Sequence, residues 1–110
     1  MKIIPYDGQY LDELVTLLVE VFTEPGTIEW DEVTAKRYLL QNTKPFSTYC
    51  FVALDEARAC MGGIFARIEP YGVGDMLYID ALQIKQQFRK QGVAKALMKT
   101  AIEKANGVGI

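Results

Sequence analysis

The run Arg89-Lys90-Gln91-Gly92-Val93-Ala94 has the residue types and spacing of an anion site. It lies between a strand-like stretch, Leu77 to Ile84, and a helical stretch, Val93 to Ala105. A glycine turn entering a helix presents backbone N–H groups that no carbonyl of the helix can satisfy, and the helix dipole places positive potential at the same end. Arg89, Lys90 and Lys95 crowd that end, where each cation is unfavourable by about 0.3–1 kcal/mol. No Ser, Thr, Asp or Asn stands there as a cap. A helix start that is both basic and uncapped makes physical sense if a polyanion, such as a pyrophosphate, supplies the acceptors.

The chain contains no histidine. That excludes a histidine triad, a histidine general base and the common histidine-containing metal sites, so no metal is expected. Proton transfer is left to carboxylates, Tyr, Cys, Lys or water. Cys50 and Cys60 are too few for a disulfide framework. They lie on two candidate strands joined by the turn Asp55 to Arg58. A tight hairpin pairing Leu54 with Ala59 would turn them to opposite faces, and both read as free, packed thiols. The formal charge of −2 disfavours nucleic acid as a partner, because no broad basic face is evident. No apolar run approaches the ~18 residues that span a bilayer. The opening Met1-Lys2-Ile3-Ile4-Pro5 lacks the apolar core and cleavage pattern of a secretory signal. A cytoplasmic protein with no membrane partner is therefore expected. At 110 residues, half of them apolar, residues 1–110 suit a single domain.

The elements that must position the anion site follow from periodicity. Lys2 to Tyr6 reads as a strand closed by Asp7-Gly8. Leu11, Leu14, Val15, Leu18, Val21 and Phe22 recur at helical spacing, predicting a helix from Gln9 to Thr23. Pro25-Gly26 breaks it. A second helix is expected from Asp31 to Asn42, with Asp31 as its cap and Pro45 beyond its end. Thr48 to Leu54 and Ala59 to Ile68 read as antiparallel strands, and Gly62-Gly63 signals a bulge or a close backbone approach. Tyr71 to Asp75 is a turn, and Met76 to Lys85 the next strand. The last helix is expected to bury Val93, Ala94, Leu97, Met98, Ala101, Ile102 and Ala105.

This order, and the Arg89 run within it, resembles the GNAT superfamily of acetyl-CoA-dependent N-acetyltransferases. The family signature is Arg or Gln, two residues, Gly, one residue, then Gly or Ala; Arg89, Gly92 and Ala94 occupy those places. The stretch from Val21 to Trp30 is also similar to the helix-loop-helix entry of many small-molecule acetyltransferases. The resemblance implies an α/β (α+β) fold: a mixed sheet with helices on both faces, in the order β-α-α-β-β-β-α, truncated before the later strands. Gly107 then reads as the helix end and Val108 to Ile110 as the opening of the next strand.

The resemblance implies acetyl-CoA as cosubstrate. Backbone groups of Leu82, Gln83 and Ile84 would pair with the pantetheine arm like an added strand. The amides of Lys90, Gln91, Gly92, Val93, Ala94 and Lys95 would hold the pyrophosphate, with charge-assisted contacts from Arg89 and Lys90. Asp80 is the preferred catalytic base. Simple alternation puts it on a face with Tyr78, Leu82 and Ile84, where desolvation would raise its pKa. The competing reading is a structural carboxylate paired with a lysine or a backbone N–H. Glu24, Glu29 and Glu69 are poorer candidates. The family's usual thiolate-protonating tyrosine belongs to a later helix, which leaves Tyr78 or Tyr71 as substitutes.

The function expected is transfer of an acetyl group to a primary amine of a small molecule. The acids Glu24, Glu29 and Asp31 favour a cationic, aminoglycoside-like or polyamine-like acceptor. The alternative is a non-catalytic acyl-CoA-binding or assembly module. A generic phosphate-binding domain is a weaker third reading, because the Gly-Lys-Ser/Thr ending of a P-loop and the three-glycine dinucleotide fingerprint are both missing. A strand edge without its family partner predicts a homodimer or higher oligomer.

Overall fold

Leu14, Val15, Leu17 and Leu18 all point to one side of α1 (Leu11–Phe22) and are buried, so this helix forms by laying an apolar stripe on a sheet. The computed structural model describes residues 1–24, 26, 28–43 and 49–107. β1 (Lys2–Pro5) precedes α1. α2 (Glu32–Thr43) follows it and is capped as expected: the Thr34 N–H donates to Asp31 Oδ1 at 2.8 Å, which also pulls the Asp31 pKa down. β2 (Phe51–Leu54), β3 (Cys60–Tyr71) and β4 (Gly74–Ile84) come next. A 3₁₀ turn at Gln86–Phe88 then leads to α3 (Val93–Gly107). The expected continuations at Lys44 to Thr48 and Val108 to Ile110, and Pro25, lie outside the described residues.

The strands run in the order β1-β2-β3-β4, and each pairing among the described residues is antiparallel. Helices cover both faces. On one side α1 and α2 pack over Cys50, Val52, Leu54, Phe65 and Ala81. On the other, α3 buries Val93, Leu97 and Ala101 against Phe51, Ala53, Ile64 and Ile84. Met98 and Ile102 stay 37% and 45% exposed, so the buried stripe of α3 is narrower than its apolar content suggests.

Two register shifts decide which side chains share a face. Ala53 pairs with Gly62 but Leu54 with Cys60, so Met61 is an extra residue on β3. The shift returns Cys60 to the α1–α2 side with Cys50, which corrects the opposite facing expected from a plain hairpin. Both are free and buried, and burial pushes each thiol up to about 11. Gly62 itself approaches the next strand closely: a Cβ there would run into the Gln83 carbonyl oxygen. In the second shift, Phe65 pairs with Ala81 and Ala66 with Ile79, leaving Asp80 as the bulged residue of β4.

Candidate functional site

The bulge re-aims Asp80. Leu77 and Ile79 before it, and Leu82 and Ile84 after it, all pack on the α3 side. Asp80 therefore shares a face with Tyr78 but not with Leu82 and Ile84, the strand neighbours expected beside it. A guanidinium stands there instead. Arg67 Nε donates to both Asp80 oxygens, at 3.2 and 3.0 Å, and the Asp80 side chain is 6% exposed. Arg67 also pairs with Glu69 and lies 4.8 Å over the Tyr78 ring. A cation shared by two carboxylates and an aromatic face is held firmly.

On the α1–α2 side, Asp80 and Ala81 form the floor of a pocket of about 270 Å³. Glu24 and Ile28, paired as an isolated bridge, form part of its wall. Trp30 and Tyr38 supply an aromatic corner, with ring centroids 5.1 Å apart at 67°. The Tyr38 hydroxyl donates to the Asp80 carbonyl oxygen at 3.0 Å, which ties α2 to the bulge. The rest of the expected acidic cluster does not assemble here: Glu29 is exposed and Asp31 is engaged as the α2 cap. Tyr71 is 72% exposed at the hairpin end, paired with Gly74. Gly74 is six residues from Asp80, or about 20 Å at ~3.4 Å per residue, so Tyr71 is remote from the pocket.

The second feature lies where β4 leads into α3. Lys90 has φ of 62° and Gly92 φ of 81°. A left-handed lysine two residues before a left-handed glycine is a costly local geometry of the kind concentrated at functional sites. The Ala96 N–H donates to the Gly92 carbonyl at 3.0 Å, so Gly92 is the last residue before the helix. The amides of the first turn thus have no intrahelical acceptor. Ile84, Phe88, Arg89, Lys90, Gly92, Val93, Ala94 and Lys95 line a depression of about 270 Å³ around that turn. Gln91 is exposed beside it, its side chain donating to the Gln87 carbonyl at 3.2 Å. Arg89 Nε donates to the Ile84 carbonyl at 3.3 Å, which braces the loop against the strand end.

Between pocket and loop runs the free side of β4. The Lys85 N–H donates to the Met61 carbonyl. Antiparallel ladders alternate inward and outward pairs, so Gln83 turns its main chain toward β3, while Leu82 and Ile84 turn theirs outward. Gln83 therefore departs from the expectation that its backbone meets a ligand. Its buried side chain donates to the Leu14 carbonyl at 3.0 Å, and its Oε1 has no hydrogen-bond partner among the described residues. Trp30, Tyr38 and Arg67 are the neighbours that sequence reading did not assign. Arg67 could have been found from the hairpin register, since it stands opposite Tyr78. Among the described residues, no cluster of metal-binding side chains occurs, and no helix is long and apolar enough to cross a membrane.

The model of the acetyltransferase (GNAT) family matches residues 11–110. No curated protein matches the sequence. Solved structures share the fold. The aminoglycoside antibiotic 6'-N-acetyltransferase of Acinetobacter haemolyticus superposes with a TM-score of 0.74 at 17% identity, over 98% of this chain and 73% of that one. A transcriptional regulator from Bacillus halodurans gives 0.76 at 19% identity, over 98% and 75%. A chain of the NatC complex bound to Gag peptide and CoA gives 0.71 at 23% identity, over 96% and 68%.

Proposed function

Because the chain belongs to the GNAT acetyltransferase family, whose acetyl donor is acetyl-CoA, we propose that it acetylates a primary amine of a small molecule held in the Asp80 pocket. The observation that carries this reading is the continuity of three features: the left-handed turn at Lys90 and Gly92, the outward backbone of Leu82 and Ile84, and the pocket at the β4 bulge. A pyrophosphate on the amides from Lys90 to Lys95, with Arg89 and Lys90 beside it, would place the pantetheine arm along the Leu82–Ile84 edge. Its thioester then arrives next to Asp80 and Ala81.

In the reaction, the neutral amine nitrogen attacks the thioester carbonyl carbon. The C–N bond forms and the C–S bond breaks. The amine's proton passes to the Asp80 carboxylate, directly or through one water, and the CoA thiolate takes a proton from solvent. Arg67 acts as a positioning residue, since it fixes both Asp80 oxygens. The same engagement favours a second reading, a non-catalytic acyl-CoA-binding module in which Asp80 is structural. Acetyl-CoA turnover with a panel of amines separates the two: release of CoA thiol that depends on the amine supports the enzyme, and CoA binding without release supports the module. A homodimer or higher oligomer belongs to this reading as well. β4 has one partner among the described residues, and Met98 and Ile102 are exposed on α3. Light scattering at micromolar concentration decides that point.

A further inference from the structure

We infer that the Asp80 pocket selects a monoamine whose nitrogen sits on a short arm from an apolar, ring-sized body, and that it discriminates against polyamines and aminoglycosides. This rests on the proposed acetyl transfer and narrows its acceptor. The lining carries the argument. Among the described residues, and apart from Glu24 and Asp80, the side chains around the cavity are Leu18, Val21, Phe22, Ile28 and Ala81 with the Trp30–Tyr38 corner. A polycation placed there would press most of its ammonium groups against hydrocarbon, which strips their water and returns no hydrogen bonds.

The carboxylates do not alter that conclusion. Asp80 already shares its charge with Arg67, whose Nε reaches both oxygens. Glu29 and Asp31, which would have made the site strongly acidic, are outside the described lining, and Asp31 is used as a cap. Pairing with Arg67 leaves Asp80 with less charge to offer a polycation. The aromatic corner is also rigid. Tyr38 is tethered by its hydroxyl to the Asp80 carbonyl, and Trp30 meets it edge-on at 5.1 Å. Such a corner accepts a planar ring in an offset or edge arrangement, with an attached ammonium close to both the ring faces and Asp80. The volume of about 270 Å³ lies just below the roughly 300–1,000 Å³ range of drug-sized sites. One ring with a short arm is of that size, and a linked set of sugar rings exceeds it.

Trp30 is the chain's only tryptophan, so its emission reports occupancy whether or not any chemistry follows. The probes are 2-phenylethylamine, spermidine and kanamycin at matched ionic strength, with acetyl transfer measured in parallel. The expected result is a saturable emission change with 2-phenylethylamine at a Kd at least tenfold below those of the other two. Ile28→Lys, at a position 58% exposed on the rim, should weaken 2-phenylethylamine at least tenfold. Spermidine or kanamycin binding as tightly as 2-phenylethylamine, or an unchanged Kd in Ile28→Lys, overturns the inference. Acetylation of spermidine or kanamycin with no emission response to 2-phenylethylamine sinks the inference and leaves acetyl transfer standing. Selective 2-phenylethylamine binding with no transfer to any amine upholds the pocket's selectivity and removes the reaction.

Discussion

Replacing Gly92 by Asp separates folding from anion binding. Gly92 has φ of 81°, and a Cβ added there would meet nothing within 4 Å. The cost to the fold is therefore conformational, about 1–2 kcal/mol for a left-handed L residue. Up to about 1 kcal/mol is recovered because a carboxylate at a helix N-terminus is favourable. A net loss of about 1 kcal/mol leaves the protein folded. The binding cost is larger. Two unit charges 4 Å apart repel by about 1 kcal/mol in water and about 4 kcal/mol at an effective dielectric of ~20. At about 1.4 kcal/mol per tenfold, CoA should bind from about fivefold to several hundredfold more weakly. Gly92→Asn carries a similar backbone strain without the charge and should lose much less. Calorimetric titration with CoA, alongside urea denaturation of each variant, measures both effects. An affinity of Gly92→Asp within twofold of the parent chain would refute the placement of the pyrophosphate at this turn.

Asp80→Asn should lower kcat at neutral pH by about 10²-fold or more while CoA affinity stays within about twofold; an unaltered pH–rate profile would assign the proton transfer to water or another carboxylate. Gly62→Ala forces a Cβ onto the Gln83 carbonyl and should cost about 1–3 kcal/mol by overpacking, read as a lower urea midpoint. Burial raises Cys50 and Cys60 from the usual 9.0 to about 11, so the folded chain holds these protons more tightly than the unfolded one. Their contribution, on the order of 2 kcal/mol each, is intact below pH 9 and is lost as pH rises through about 11. Tyr6, also raised by burial, adds a loss of the same sign above pH 10. Denaturation curves should therefore show falling stability from pH 9 to 11, with a shallower slope in a Cys50→Ala, Cys60→Ala double variant; a flat profile in the parent contradicts the burial of the thiols.

What could be read from the sequence was what is local. α1 announces itself through Leu14, Val15 and Leu18 at helical spacing, α2 through the Asp31 cap, and the α3 entry through Gly92 after a basic pair. Cross-strand register beyond the bulges was not legible, and it governs the site. Alternation along one strand assumes that every residue has a partner. The extra residues at Met61 and Asp80 break that assumption, so the facing of Cys60, and of Leu82 and Ile84 relative to Asp80, came out reversed. Arg67 joins Asp80 from thirteen positions away, and only the paired hairpin brings them together. Tyr38 reaches the β4 bulge from α2, 42 positions away in sequence, a tertiary event that leaves no periodic trace. The open stripe at Met98 and Ile102 shows the converse: helical periodicity identifies apolar positions but not how wide a face the sheet will cover.

The central claim is acetyl transfer from acetyl-CoA to an amine at the Asp80 end of β4. It is tested most directly by incubating the chain with acetyl-CoA carrying a ¹³C-labelled acetyl group and 2-phenylethylamine, spermidine and kanamycin in turn, then following amide and thiol together. Label is expected in an amide of at least one amine, with one CoA thiol released per amide formed and both lost in Asp80→Asn. CoA that binds while neither amide nor amine-dependent thiol appears with any of them would contradict it, and would leave the chain as an acyl-CoA-binding module.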